Sequence, residues 1–188
     1  MKGKLIIICA PSGAGKTTIV RHILENIPSM EFSVSATNRK QRPNEVNGLD
    51  YYFIETDEFT SKIARSEFLE WEEVYPGTFY GTLKNEIDRI WNRGNHVIFD
   101  VDVEGGLNIK RHYGKRALLI FIRPPSLEIL AQRLKSRATE TQKDYEMRVK
   151  KAEREMSYEK HADQVLINDE LEKAKFDALA IVNEFLAI

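Results

Sequence analysis

The chain has 188 residues, enough for one domain with inserted lobes, and its 42% hydrophobic and 30% charged residues exclude disordered, collagen-like and coiled-coil proteins. The 28 basic and 29 acidic residues leave a net charge of -1, which argues against a nucleic-acid binder or a membrane-surface binder. The longest apolar run is far below the ~20 residues that span a bilayer, and it lacks a signal-peptide cleavage pattern. The single cysteine fits a reducing compartment, so we expect a cytoplasmic protein.

A buried strand, a glycine-rich turn and a helix are predicted at the start of the chain. Leu5–Cys9 is an uninterrupted apolar run, which is typical of a parallel strand covered on both faces. The turn Pro11–Gly15 follows it. Isoleucines then recur at every fourth position from residue 19 to residue 27, which predicts a helix with one buried face that ends before Pro28.

The same strand pattern returns three times further along the chain. Buried apolar runs lie at residues 97–99, 117–122 and 165–167, and a final amphipathic helix is predicted from near Asp169. Strands that alternate with helices predict an α/β core with a mostly parallel sheet.

Two regions interrupt this alternation. Short half-buried β patterns at residues 32–35, 51–54 and 68–71, separated by prolines and glycines, predict a mainly β lobe inserted over residues 32–82. Residues 126–160 are helical and polar, with eight basic against four acidic residues between positions 133 and 154. This segment is either a lid over an anionic ligand or a solvated helical face, and charge alone favours the second.

Residues 10–17, Ala-Pro-Ser-Gly-Ala-Gly-Lys-Thr, nearly match the phosphate-loop pattern G-x-x-x-x-G-K-[ST] between the first strand and helix. Its backbone N–H groups would cradle phosphates, Lys16 would bridge the β- and γ-phosphates, and the Thr17 hydroxyl would hold Mg²⁺. Ala10 stands where the pattern has glycine, which is strained only if that position needs a positive φ. The predicted ATP-binding residues of this segment are Ala10, Pro11, Ser12, Gly13, Ala14, Gly15, Lys16, Thr17 and Thr18.

Asp100 ends the second buried strand, where an acidic residue is expected to reach Mg²⁺ directly or through water. The alternative is a helix N-cap or a loop aspartate, and alone the two interpretations are equally good. Beside Lys16 and Thr17 the metal role is favoured.

Several motifs in order along nearly the whole chain resemble the guanylate kinase family. They are the phosphate loop and the segments 33–43 (SVSATNRKQRP), 45–51 (EVNGLDY), 68–71 (FLEW), 80–82 (YGT), 100–105 (DVDVEG), 124–126 (PPS), 133–140 (RLKSRATE) and 165–169 (VLIND). The resemblance implies phosphoryl transfer from ATP to GMP, and to dGMP, with Mg²⁺. It also implies a phosphate-loop core of residues 1–31, 83–125 and 161–188, a GMP-binding lobe 32–82 and a lid 126–160.

The resemblance also assigns site residues, motif by motif. The GMP phosphate would be held by Ser35, Arg39, Arg42, Tyr51 and Tyr80. Guanine would be bound by Glu70, Thr82 and Asp102. The catalytic set would be Lys16, Arg42, Arg137 and Arg148, and Asn168 would lie near the adenine of ATP.

These assignments agree with the chemistry of the ligands. Arginine forks and tyrosine hydroxyls donate to a phosphate dianion, and carboxylates accept the N1–H and 2-amino protons of guanine. The plainer alternatives are solvated surface arginines at positions 39 and 42, and an outward-facing strand residue at Glu70. Because a phosphate monoester is mostly dianionic at pH 7, the acceptor needs no general base.

Two rival functions remain open from the sequence. One is a kinase on the same scaffold that acts on another phosphorylated small molecule, and it would not need Glu70 and Asp102 aimed at a base. The other is a catalytically silent interaction module, against which the intact Lys16 and Thr17 argue. We expect a monomer or homodimer with small-molecule substrates, without nucleic-acid or membrane partners.

Overall fold

The computed structural model describes residues 3–136 and 142–187 and is built around a parallel sheet. Five strands form it: β1 Leu5–Cys9, β2 Met30–Phe32, β7 His96–Asp100, β8 Ala117–Arg123 and β9 Gln164–Ile167. Their order in the sheet is β2-β7-β1-β8-β9, and every neighbouring pair is parallel. The predicted α/β core with a mostly parallel sheet is therefore confirmed.

Helices cover both faces of this sheet. They are α1 Lys16–Asn26, α3 Lys84–Asn92, α4 Val103–Tyr113, α5 Leu127–Ser136, α6 Gln142–Met156 and α7 Leu171–Ala187. Successive side chains of β1 point to opposite faces, so Ile6 and Ile8 pack with α1 and α7 while Leu5 and Ile7 pack with α3 and α4. Burial on both faces explains why this strand has no polar alternation.

A smaller sheet projects from the core. Its strand order is β4-β3-β6-β5, with β3 Ala36–Thr37, β4 Tyr52–Phe53, β5 Phe68–Tyr75 and β6 Thr78–Leu83. Helix α2, Thr56–Ala64, packs on this sheet through Phe59, whose ring stacks on Phe68 with centroids 4.4 Å apart. Helix α2 escapes sequence prediction because it has a single buried residue rather than an apolar stripe.

One predicted strand is wrong in position and in sheet. The pattern at residues 32–35 predicted a strand of the inserted lobe, but β2 ends at Phe32 and forms the edge of the main sheet. The middle residue of this strand is the polar Glu31, whose carboxylate accepts from Arg89 at 3.1 Å and also binds Asn95. Because of this residue, β2 lacks the continuous apolar run that predicts a buried strand. Residues 33–35 instead lead out of the core toward the small sheet.

Glu86 joins the two sheets. It lies in the first turn of α3 and is 3% exposed. Its carboxylate accepts from the Val34 N–H and from the Tyr52 hydroxyl, both at 3.1 Å, and pairs with Arg89 at 2.7 Å. Because every one of these bonds involves a charged acceptor, the small sheet is anchored firmly at this point.

None of the helices within residues 3–136 and 142–187 combines the length and the apolar character that crossing a membrane requires.

Candidate active site

The phosphate-binding loop follows β1 directly and ends at the first residue of α1. Gly13 and Gly15 have φ angles of 92° and 93°, the left-handed region that side-chain-bearing residues avoid. Ala10 is not among the residues with positive φ. Alanine therefore replaces the first glycine of the pattern without backbone strain.

Asn168, at the end of β9, braces this loop. Its Nδ2 donates to the Ala14 carbonyl at 2.7 Å, and its side chain is buried. A Cβ added to Gly15 would run into the same amide. The side chain that was predicted to lie near adenine is thus directed at the loop rather than at the cavity.

Lys16 and Thr17 meet Asp100 at the mouth of the loop. Lys16 Nζ lies 2.9 Å from the Asp100 carboxylate and donates to the Val101 carbonyl at 2.7 Å. Burial opposes the charge of Lys16, but the attraction of Asp100 outweighs it and raises the pKa of the lysine. The lysine is therefore protonated, and its ammonium group lies beside Asp100 at the mouth of the loop.

Thr17 and Asp100 are also suited to Mg²⁺. The Thr17 hydroxyl donates to Asp100 Oδ2 at 3.1 Å, so two hard oxygen ligands lie side by side. Across the described ranges, 3–136 and 142–187, no group of three or more His, Cys, Asp or Glu side chains is arranged to hold a metal. A sparse protein ligand set fits Mg²⁺, which usually keeps water and substrate phosphates in its coordination shell.

A cavity of about 770 Å³ lies between the phosphate loop and the small sheet. It brings together most of the predicted site residues: Ala10, Pro11, Ser12, Gly13, Ala14, Gly15, Lys16, Thr17, Thr18, Ser35, Arg42, Tyr51, Glu70, Tyr80, Asp100, Asp102 and Arg148. Arg39, Thr82 and Asn168 lie outside its lining. Arg137 lies outside the described residues.

Arg39 is engaged within the small sheet rather than in the cavity. Its Nη1 and Nη2 donate to the Glu45 carboxylate at 2.7 and 2.6 Å, and its Nε donates to the Tyr80 hydroxyl at 3.0 Å. These hydrogen bonds lower the pKa of Glu45 to about 2. The guanidinium also lies 4.9 Å from the centre of the Tyr51 ring. Arg39 therefore orients both tyrosines, and Arg42 is the arginine of this pair that faces the cavity.

Glu70 and Asp102 converge at the opposite end of the cavity. Asp102 caps α4 and accepts from the Gly105 N–H at 2.8 Å. A Cβ on Gly105 would lie 2.7 Å from Glu70 Oε2 and 3.2 Å from Asp102 Oδ1, so any larger residue here would displace the Glu70 carboxyl. Burial raises the pKa of Glu70 to about 7, and the neighbouring Asp102 adds to the shift. Thr82 pairs with Glu70 across the hairpin and is fully buried.

Glu72 is a cavity residue that the sequence prediction missed. It lines the cavity opposite Tyr80, and a hydrogen bond between its carboxyl and that of Asp102, together with burial, raises the pKa of Glu72 to about 8. The available signal was its spacing: it lies two residues beyond Glu70, on the same side of a strand.

Helix α6 reaches the phosphate loop from the other side. Arg148 Nη2 donates to the Ser12 hydroxyl at 2.7 Å. Glu155, about two turns further along α6, is buried, and this burial raises its pKa. The basic segment, which was predicted as either a lid or a solvated face, thus contacts the phosphate loop directly.

Replacing Glu70 with glutamine is expected to stabilise the unliganded protein, and more so at higher pH. With its pKa raised from 4.5 to about 7, the folded state binds the Glu70 proton more tightly than the unfolded state, so stability is lost as pH rises between these values. Glutamine cannot ionise, so its gain in Tm should be small at pH 5 and larger at pH 8. Thermal unfolding at both pH values tests this, with Glu153→Gln on the exposed side of α6 as control. Equal shifts at the two pH values would contradict the assignment.

Known proteins resemble this chain over its whole length. A family model described as guanylate kinase matches residues 2–186. Guanylate kinases from Bacteroides fragilis and Porphyromonas gingivalis are 49% and 45% identical, covering 100% and 98% of this chain and 92% and 98% of those proteins. The crystal structure of guanylate kinase from Anaplasma phagocytophilum superposes with a TM-score of 0.77 at 27% identity, covering 97% of this chain and 85% of that one. A shikimate kinase structure from Bacteroides thetaiotaomicron, at 14% identity and a TM-score of 0.51, shares the fold alone.

Proposed function

Because this chain belongs to the guanylate kinase family, we propose that it transfers the γ-phosphoryl group of ATP to GMP, and to dGMP, giving ADP and the nucleoside diphosphate. The observation that carries the proposal is that one cavity has a phosphate loop on one wall and the Glu70–Asp102 pair on the other. Such a cavity presents cations to a triphosphate and hydrogen-bond acceptors to a base.

The donor half holds ATP through the phosphate loop. Its N–H groups and the first turn of α1 bind the phosphates, and Lys16 moves from Asp100 to the β- and γ-phosphate oxygens. Thr17 and Asp100 would hold Mg²⁺, which when bound neutralises part of the phosphate charge. Asn168 supports this half by bracing the loop, and its segment approaches the adenine.

The acceptor half binds the GMP phosphate at its basic and hydroxyl-rich end. Arg42, Ser35, Tyr51 and Tyr80 line that end, and Arg39 positions the tyrosines. The GMP phosphate is itself the nucleophile, so the chain's task is to align two polyanions and neutralise them. Arg148 and Arg137 of the lid would approach the transferring group.

Glu70 and Asp102 read the base, and the fully buried Thr82, which pairs with Glu70 across the hairpin, supports Glu70 from behind. Guanine presents N1–H and a 2-amino group, which match two carboxylate acceptors. Adenine presents an unprotonated N1 and no 2-amino group, so the same carboxylates would face an acceptor and stay unpaired. A site built around substrate N–H groups rejects a nucleotide that lacks them by a large factor.

The three predicted regions have separate tasks in this proposal. The core of residues 1–31, 83–125 and 161–188 carries the donor loop, the lobe 32–82 carries the acceptor site, and the lid 126–160 closes over both. Closure excludes water, which would otherwise compete with GMP for the phosphoryl group. The reaction would serve purine nucleotide metabolism in the cytoplasm, with the enzyme acting as a monomer or homodimer.

A coupled ADP-release assay with ATP and Mg²⁺ tests the function. GMP, dGMP, AMP, CMP and UMP are compared side by side at equal concentrations. We expect strong ADP release with GMP and dGMP and at least about 100-fold lower kcat/KM with AMP. A protein that releases no ADP with GMP, or that uses AMP equally well, would refute the proposal.

A further inference from the structure

Glu72 extends the acidic end of the acceptor site along β5. Side chains alternate along a strand, so Glu70 and Glu72 share a face of the small sheet while Trp71 between them is exposed. Across the hairpin Glu70 pairs with Thr82 and Glu72 pairs with Tyr80. Glu72 therefore stands between the base end of the cavity and its phosphate end.

The contacts of Glu72 leave it with unused acceptor capacity. Glu72 and Asp102 line the same two cavities, and Asp102 accepts from the Gly105 N–H at 2.8 Å. Glu72 Oε2 is buried and has no hydrogen-bond partner within residues 3–136 and 142–187. A buried acceptor without a donor is unfavourable, so a ligand N–H that reaches it is bound more tightly.

We propose that Glu72 is a further specificity-determining residue, which forms with Asp102 a paired carboxyl site for the exocyclic 2-amino group of guanine. This inference rests on the proposed function. The 2-amino group carries two N–H donors, of which Glu70 can accept one together with N1–H. The second N–H is left for the Glu72–Asp102 pair.

Glu72 should discriminate between GMP and IMP. Hypoxanthine has the same O6 and N1–H as guanine but carries only hydrogen at position 2. IMP therefore satisfies Glu70 and leaves the Glu72–Asp102 pair without a donor. Glu72 should therefore raise kcat/KM for GMP and have very little effect on kcat/KM for IMP.

The test is the ratio of kcat/KM for GMP to kcat/KM for IMP, measured by ADP release on one preparation of each variant. Glu72→Ala is expected to lower this ratio by about 10- to 100-fold, because GMP loses a charge-assisted hydrogen bond and IMP does not. Glu72→Gln keeps a donor for Asp102 and an oxygen for the amino group, so its ratio should stay within about threefold of the native value. The ratio does not depend on the fraction of folded protein.

Glu104→Gln is the matched control for the loss of a negative charge. Glu104 lies beside Glu72 in the wall of a neighbouring cavity and pairs with Arg154 at 2.9 Å. The ratio of kcat/KM for GMP to kcat/KM for IMP in Glu104→Gln should equal that of the native protein. The proposal would be overturned if Glu72→Ala lowered kcat/KM equally for GMP and IMP, or left the ratio unchanged. It would also be overturned if the ratio fell as far in Glu72→Gln as in Glu72→Ala, or fell equally in Glu104→Gln. If the native protein failed to phosphorylate GMP, the proposed function itself would fail, which is a separate result.

Discussion

Lys16→Ala is expected to lower turnover by about a thousandfold or more while the chain remains folded. Lys16 places a permanent positive charge at the end of the phosphate loop, 2.9 Å from Asp100, and no other described cation occupies that point. In the transition state this charge faces the negative charge that gathers on the transferring phosphoryl group. ADP release with saturating ATP and GMP measures the loss.

Two controls separate this effect from misfolding or general loss of charge. Thermal unfolding of Lys16→Ala should remain a single transition at a lower Tm, because Asp100 loses its ion pair but keeps the Thr17 hydroxyl at 3.1 Å. Lys173→Ala removes an exposed lysine of α7 that pairs with Asp177 and should leave turnover unchanged. Near-native turnover of Lys16→Ala would remove the lysine from the catalytic set.

Gly105→Ala is expected to lower kcat/KM for GMP by about 10- to 100-fold and to leave the KM for ATP unchanged. The added Cβ would lie 2.7 Å from Glu70 Oε2, which is the free end of a side chain and can swing away. The fold therefore survives, and alanine even favours the helix by up to about 1 kcal/mol. The lower kcat/KM for GMP should arise because Glu70 and Asp102 are no longer aligned with the base.

The next residue supplies the control for this substitution. A Cβ on Gly106 would meet Ile7 Cγ2 at 3.2 Å and Leu119 Cδ1 at 3.3 Å, which are core side chains remote from the carboxyls. Gly106→Ala should therefore alter the Tm rather than the KM for GMP. Comparable GMP kinetics in the two alanine variants would show that Gly105 does not position the base-reading pair.

Sequence predicts those parts of the molecule that local chemistry determines. The apolar run of β1, the glycines of the phosphate loop and the isoleucine spacing of α1 each belong to one short segment, and all three elements lie where they were predicted. Strand β2 and helix α2 lack such a local signature. Their positions are determined by partners elsewhere, Arg89 for β2 and the rings of the small sheet for α2.

The candidate site shows the same division. The phosphate-loop pattern and the family resemblance together assigned Lys16, Asp100 and Glu70 to one site, and all three line one cavity. They could not show that Arg39 is held by Glu45, or that Glu72 meets Asp102, because each depends on how side chains pack after the chain folds. Contacts between distant segments determine which of two similar residues faces the cavity.

The amide of Asn168 joins the end of the last strand to a loop 154 residues earlier in the chain. That loop consequently keeps its shape before any nucleotide arrives, and little conformational entropy remains to be lost when phosphates bind. A side chain that never needs to touch the triphosphate can thus determine how tightly it is held. In a titration calorimeter, a chain without this amide would bind ATP with a larger entropic penalty.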